Sequence, residues 1–131
     1  MIAQLIWIGL GSACGGSARY LLDQWALHWI AVEFPVATLW INLSGSFLVG
    51  WLAGRWSSGG TVRPHPYKWH FWITGVCGGY TTFSAFSWQV LQMIRDGGGQ
   101  AAGLYAAASV GCGLLAVWLG LSSALRRNDF A

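Results

Sequence analysis

Between Gly75 and Ser87 the chain reads Gly-Val-Cys-Gly-Gly-Tyr-Thr-Thr-Phe-Ser-Ala-Phe-Ser, with no charge in the run. Glycine and threonine are poor helix formers, and serine competes for backbone hydrogen bonds, so the run predicts a helix break near Gly78 to Thr82. At membrane depth, irregular backbone is tolerated only where protein buries it or where it lines a cavity. Carbonyls released at such a break could hold a cation. The competing reading is a glycine-softened helix whose hydroxyls bond back to the preceding turn. Phe83 and Phe86 are three apart and share a face if helix resumes after Thr82. A packing stripe would have the same spacing.

Asn42 sits inside the apolar run Leu39-Trp-Ile-Asn-Leu-Ser-Gly-Ser-Phe47, where an amide is costly unless paired or wetted. It is either a bond between helices or a donor lining a path. Tyr105 and Ser109 are one turn apart, which suits a short polar track or bonds to neighbouring helices. Arg19 can snorkel its guanidinium to an interface, as a structural anchor or as a group that attracts anions. A proton-coupled exporter of small cations needs a carboxylate within the membrane. Asp23, Glu33, Asp96 and Asp129 are instead expected in loops or the tail. No Ser/His/Asp or Cys/His pairing is readable, and His28, His65 and His70 fall at segment edges or in a loop, so the chain does not read as an enzyme. Cys14, Cys77 and Cys112 have neither CxxC nor metal spacing and read as small packing residues.

The elements that must position these residues follow from composition. Of the 131 residues 55% are hydrophobic and only 8% charged. The charges bracket the charge-free stretches 1–18, 34–54, 69–94 and 97–125, each near or above the ~20 residues a spanning helix needs. The expected fold class is therefore an all-α integral membrane protein, one domain over 1–131, with transmembrane helices at 2–22, 36–54, 69–94 (broken mid-span) and 100–125. The connection 55–68 holds Gly59, Gly60, Pro64 and Pro66 and reads as a solvent loop. Tryptophans at segment ends, such as Trp25, Trp51, Trp56 and Trp72, suit the headgroup region. The first positive charge is Arg19, so the N-terminus lacks the basic region of a signal peptide and is expected to stay as the first helix. Small residues recur four apart at Gly11/Gly15, Gly50/Gly54, Gly75/Gly79 and Ser109/Gly113, a spacing that lets backbones approach closely. Four helices enclose little space, so a transport path is expected between subunits of a homo-oligomer, usually a twofold dimer. The net charge of +3 is scattered singly at segment ends, which suits membrane flanks and not nucleic acid. Arg55, Arg63, Lys68, Arg126 and Arg127 fall on the side of the termini, a mild bias toward a cytoplasmic N-terminus.

Gly15-Gly-Ser-Ala-Arg-Tyr20, Thr38-Leu-Trp-Ile-Asn42 with Gly45 and Gly50, and the run Gly75 to Ser87 together resemble the bacterial fluoride channel family, called Fluc, along nearly the whole chain. The resemblance implies an antiparallel, dual-topology homodimer in the bacterial inner membrane that passively exports cytoplasmic fluoride. It implies two pores built from both subunits, and a central structural sodium ion held by the backbone carbonyls of Gly78 and Thr81. It places Asn42, Phe83, Phe86, Thr82, Ser84, Tyr105 and Ser109 along the fluoride path, with Arg19 nearby. Phenyl edges could add to amide and hydroxyl donors in replacing the water of a small, strongly hydrated anion. A small multidrug-type exporter is the alternative. The chain departs from the family pattern at Ala37, usually glycine, at Gln89, often glutamate, and at Gly113, where a third hydroxyl often occurs.

Overall fold

The computed structural model describes residues 2–29, 35–57 and 65–128. All regular structure among them is helical: α1 (Ile2–Trp29), α2 (Val36–Ser57), α3 (Pro66–Trp69), a π-helical stretch (His70–Cys77), α4 (Gly78–Tyr80), α5 (Phe83–Arg95) and α6 (Gly99–Asn128). The pieces from Pro66 to Tyr80 form one rod. α2 and α6 are each long and apolar enough to cross a membrane, over Val36–Trp56 and Gly99–Arg126.

Glycine seams set the packing. A Cβ on Gly11 would meet the Phe71 carbonyl and come within 2.9 Å of Gly75 Cα, and one on Gly79 would lie 2.9 Å from Ser12 Cα. The two backbones therefore touch, and the register shows α1 and the third rod running in the same direction. On the other side of the molecule α2 and α6 also run in one direction. Gly50 seats against the Val117 carbonyl, Gly54 against Leu121 and Ala124, and Gly120 against the Phe47 carbonyl. Close backbone approach maximises dispersion contact where lipid gives helices no hydrophobic reason to associate. The expected pairing at Ser109/Gly113 is looser, with Ser46 Oγ 3.8 Å from a Cβ on Gly113.

Apolar side chains face outward. Trp40, Leu104 and Leu114 are 67%, 73% and 69% exposed, whereas the small core holds Ile41, Leu52, Cys77, Tyr105 and Ala124. In water such faces would carry charge; a hydrocarbon solvent needs none.

The helix ends correct the expected boundaries. α1 continues past Leu22 to Trp29, so Asp23 is helical and not in a loop. A charge marks the end of an apolar stretch, yet one turn from Arg19 it leaves the backbone ladder intact. Of the expected loop 55–68, residues 55–57 belong to α2 and 66–68 to α3, while 58–64 lie outside the described residues. Pro66 at the first helical position costs no hydrogen bond, and His65 Nδ1 accepts from the Tyr67 amide at 3.5 Å. The turn from α5 to α6 is closed by Gly97 at φ 84°. Its amide donates to the Ile94 carbonyl and that of Gly98 to Met93, a Schellman cap that needs a left-handed residue. The winding of His70–Cys77 as π-helix has no signature in the sequence spacing.

Candidate functional site

The rod from Pro66 ends at Tyr80, and α5 starts at Phe83. Thr81 (φ −75°, ψ 157°) and Thr82 (φ −145°, ψ 119°) between them are extended. The break thus falls at the C-terminal edge of the expected Gly78 to Thr82 window. Its orphaned groups find specific partners. The Thr81 amide and hydroxyl both donate to the Cys77 carbonyl, at 3.0 and 2.9 Å. The Thr82 hydroxyl caps α5 by accepting from the Ala85 amide at 3.1 Å and pairs with Ser84 Oγ at 3.1 Å.

Asn42 reaches across from α2. Its Nδ2 donates to the Thr82 carbonyl at 3.0 Å, and its Oδ1 accepts from the Thr82 amide at 2.8 Å. A continuous helix would have sent that amide to the Gly78 carbonyl. Arg19 Nε donates to the Gly79 carbonyl at 3.3 Å, so α1 holds the same break from the other side. The Tyr80 hydroxyl pairs with Ser44 Oγ at 3.0 Å. Asn42 thus bonds α2 to the break and Arg19 bonds α1 to it, and among the described residues the second Nδ2 proton of Asn42 and the terminal nitrogens of Arg19 are not taken up by these bonds.

Two concavities meet at Thr82. One is an open groove of about 340 Å³, lined among others by Asn42, Thr81, Thr82, Phe83, Phe86 and Ser109. The Phe83 and Phe86 rings are 5.7 Å apart and tilted by 49°, so they do share a face. Phe86 lies 5.5 Å from the Tyr105 ring. The Ser109 hydroxyl is buried in the wall of this groove. The second is a pocket of about 150 Å³, lined among others by Arg19, Asp23, Thr38, Thr82 and Gln89. Ser84 and Tyr105 border the site through their partners Thr82 and Gln89 and are not in the wall of either concavity. A Cβ on Gly78 would meet nothing within 4 Å.

In the sequence Thr38 is only a motif position and Gln89 only a lost carboxylate. In the structure Gln89 Nε2 donates to Thr38 Oγ1 at 2.7 Å, and the Tyr105 hydroxyl donates to Gln89 Oε1 at 3.0 Å. One amide therefore joins α2, α5 and α6. The available signal was three hydrogen-bonding side chains, Thr38, Gln89 and Tyr105, with no charge to satisfy them, which must pair with one another in an apolar surrounding.

An all-helical bundle with apolar outer faces, glycine seams and a polar helix break defines a membrane protein of the channel or transporter class. The chain belongs to the family described as CrcB-like protein, Camphor Resistance (CrcB), whose model matches residues 6–121. It is 47% identical over 114 residues to the fluoride-specific ion channel FluC of Paramagnetospirillum magneticum, covering 86% of this chain and 88% of the relative. It is 41% identical over 121 residues to the fluoride-specific ion channel FluC 1 of Rhodopseudomonas palustris, covering 92% and 86%. Identity to the fluoride-specific ion channel FluC of Opitutus terrae is 41% over 131 residues, covering 95% and 94%.

Proposed function

We propose that this chain is a passive fluoride channel of the bacterial inner membrane, exporting fluoride that accumulates in the cytoplasm without any covalent step. The observation that carries the reading is the helix break at Thr81–Thr82, where an amide, hydroxyls and two phenyl rings converge on one groove, in a chain whose relatives bear the name fluoride-specific ion channel. Fluoride gives up its water only to closely placed donors. The second Nδ2 proton of Asn42, the hydroxyl of Ser109 and the positive edges of Phe83 and Phe86 are donors of that kind, with Thr82, Ser84 and Tyr105 holding or extending the track. A multidrug-type exporter is less favoured. Asp23, a carboxylate in the adjoining pocket, shares it with the cationic Arg19.

In this reading α1, α2, the broken third rod and α6 are four spans, and two antiparallel copies close the pores. Phe83 is 78% exposed in a single protomer, and the groove it lines opens outward. A second copy would cover it. The same copy completes a sodium site. The Thr82 amide is diverted to Asn42, which releases the Gly78 carbonyl from its helical partner. With Thr81 that gives two oxygens per protomer, too few for a hard cation until doubled by symmetry.

The test is fluoride efflux from liposomes holding purified protein, under an imposed fluoride gradient with a potassium shunt. Rapid efflux that is indifferent to a proton gradient is expected. Efflux that requires one, or none at all, overturns the reading. Cysteine labelling at the two chain ends in cells tests the arrangement: both faces should be labelled, and one face alone excludes dual topology.

A further inference from the structure

Serine hydroxyls inside apolar helices commonly turn back on their own backbone, and three here do. Ser44 donates to the Trp40 carbonyl at 2.7 Å, Ser87 to the Ser84 carbonyl at 3.1 Å and Ser123 to the Gly120 carbonyl at 2.8 Å. Among the described residues no such bond ties up Ser46 on α2. It is half-buried and stands in the wall of the groove, one turn beyond Asn42. The apolar span of α2 is Val36–Trp56, and Ser46 is its central residue, at the depth where an unpaired hydroxyl costs most. The register of α2 against α6 fixes what lies opposite. Gly50 seats on Val117 and Gly54 on Leu121, and the same parallel register sets Ser46 beside Gly113, where a Cβ would lie 3.8 Å from Ser46 Oγ. One turn back, it sets Asn42 level with Ser109, and both line the groove. One turn further on, the wall is Val49 and Val117. Gly113 therefore offers the groove no side chain, and leaves room beside the Ser46 hydroxyl.

We propose that Ser46 donates its hydroxyl proton to fluoride at the middle of the span, carrying the line of donors from Asn42 and Ser109 one turn further along α2, at a level where α6 has only glycine. This rests on the channel reading above and deepens it. An anion that has given up its water needs a donor within reach at each step, above all where the wall turns apolar. A hydroxyl that is not spent on its own helix can turn toward the anion without breaking a bond inside the protein. What matters is a donor at this place in the groove and not the helix that carries it, so a hydroxyl supplied from position 113 should serve as well.

The experiment measures fluoride efflux from liposomes for wild type, for Ser46→Ala, and for Ser46→Ala combined with Gly113→Ser or with Gly113→Ala. Each is checked for native elution and unfolding temperature in detergent, and leak through protein-free liposomes is subtracted. Ser46→Ala should be about tenfold slower than wild type, the loss of one hydrogen bond to a charged group at the barrier. It should unfold no earlier than wild type, because no described hydrogen bond is lost and alanine is the better helix former. Adding Gly113→Ser should bring efflux back to within about threefold of wild type, since the hydroxyl returns to the same place from α6. Adding Gly113→Ala, which fills the same space without a donor, should leave efflux slow. A Ser46→Ala variant that matches wild type, that is slow and also unfolds early, or that Gly113→Ala restores as well as Gly113→Ser does, overturns the proposal. So does one that neither change restores. No efflux from wild type would strike at the channel reading and not at the role of Ser46.

Discussion

Asn42 and Thr82, forty positions apart, are joined by two hydrogen bonds, the amide side chain of one closing on the backbone N–H and C=O of the other at 2.8 and 3.0 Å. The side chain thereby does what a neighbouring strand would do for an extended residue, and it lets the third rod break inside an apolar layer with both backbone groups of Thr82 paired.

The first prediction follows from that clamp. Asn42→Asp keeps the acceptor for the Thr82 amide but sets a second oxygen against the Thr82 carbonyl, where a donor is required. A loss of about 1–3 kcal/mol in folded-state stability is expected, measured by thermal unfolding in detergent. Transport should fall as well. A variant with native unfolding temperature but no efflux would show that Asn42 serves the anion and not the break. Asn42→Asp is therefore informative about a pore only when stability is measured beside it.

The glycine seams give a second contrast. Gly50→Ala and Gly120→Ala would drive a methyl into the backbone carbonyls of Val117 and Phe47, forcing α2 and α6 apart, with an expected cost of about 1–3 kcal/mol each. A Cβ on Gly9 meets nothing within 4 Å, so Gly9→Ala should instead gain about 0.5–1 kcal/mol from helix propensity. Chemical denaturation in mixed micelles ranks the three. Equal effects at all three sites would mean that the seams are not the source of tight packing.

How far the sequence carried the structure varies by element. The break was legible because composition alone disfavours helix from Gly78 to Thr82. Its clamp was not, since pairing Asn42 with Thr82 is a tertiary choice that spacing leaves open. Gly11, Gly15, Gly50, Gly54, Gly75 and Gly79 announced themselves by their four-residue spacing. Gly120, which seats against the carbonyl of Phe47, shares that spacing only with alanines, Ala116 and Ala124, a weaker signal than a glycine pair. In the sequence Gln89 is only the absence of a carboxylate, whereas its two-ended amide bonds Thr38 and Tyr105 at once. The extension of α1 to Trp29 escaped because charges at Arg19 and Asp23 delimit apolar surface and not backbone hydrogen bonding.

A third prediction concerns the proposed cation. Thr81 contributes its hydroxyl to the Cys77 carbonyl, and serine preserves that bond, so Thr81→Ser should assemble and conduct like wild type. Thr81→Val removes the bond and should cost about 1 kcal/mol. Exchanging sodium for a bulky organic cation should weaken dimer stability or conduction in every variant, since carbonyl ligands do not depend on side chains. Dimer yield by size-exclusion chromatography and efflux rate are the readouts, and indifference of both to exhaustive sodium removal would count against the site.

The last prediction separates rings that guide an anion from rings that merely pack. Phe83 is 78% exposed in the protomer and touches Phe86 at a centroid distance of 5.7 Å, while Phe86 leans on Tyr105. Phe83→Ile and Phe86→Ile keep bulk and hydrophobicity but remove the electropositive ring edge. If the rings only pack, Phe83→Ile changes little, because so exposed a side chain has little protomer contact to lose, and Phe86→Ile costs about 1 kcal/mol of stability with near-normal transport. If the edges replace water around fluoride, each variant should assemble normally and still lose about tenfold or more in efflux, one such contact being worth about 1.4 kcal/mol at the barrier. Initial efflux from liposomes, normalised to folded dimer, decides between them. Near-wild-type rates in both variants would remove the phenyl rings from the path, while the break and its Asn42 clamp would stand.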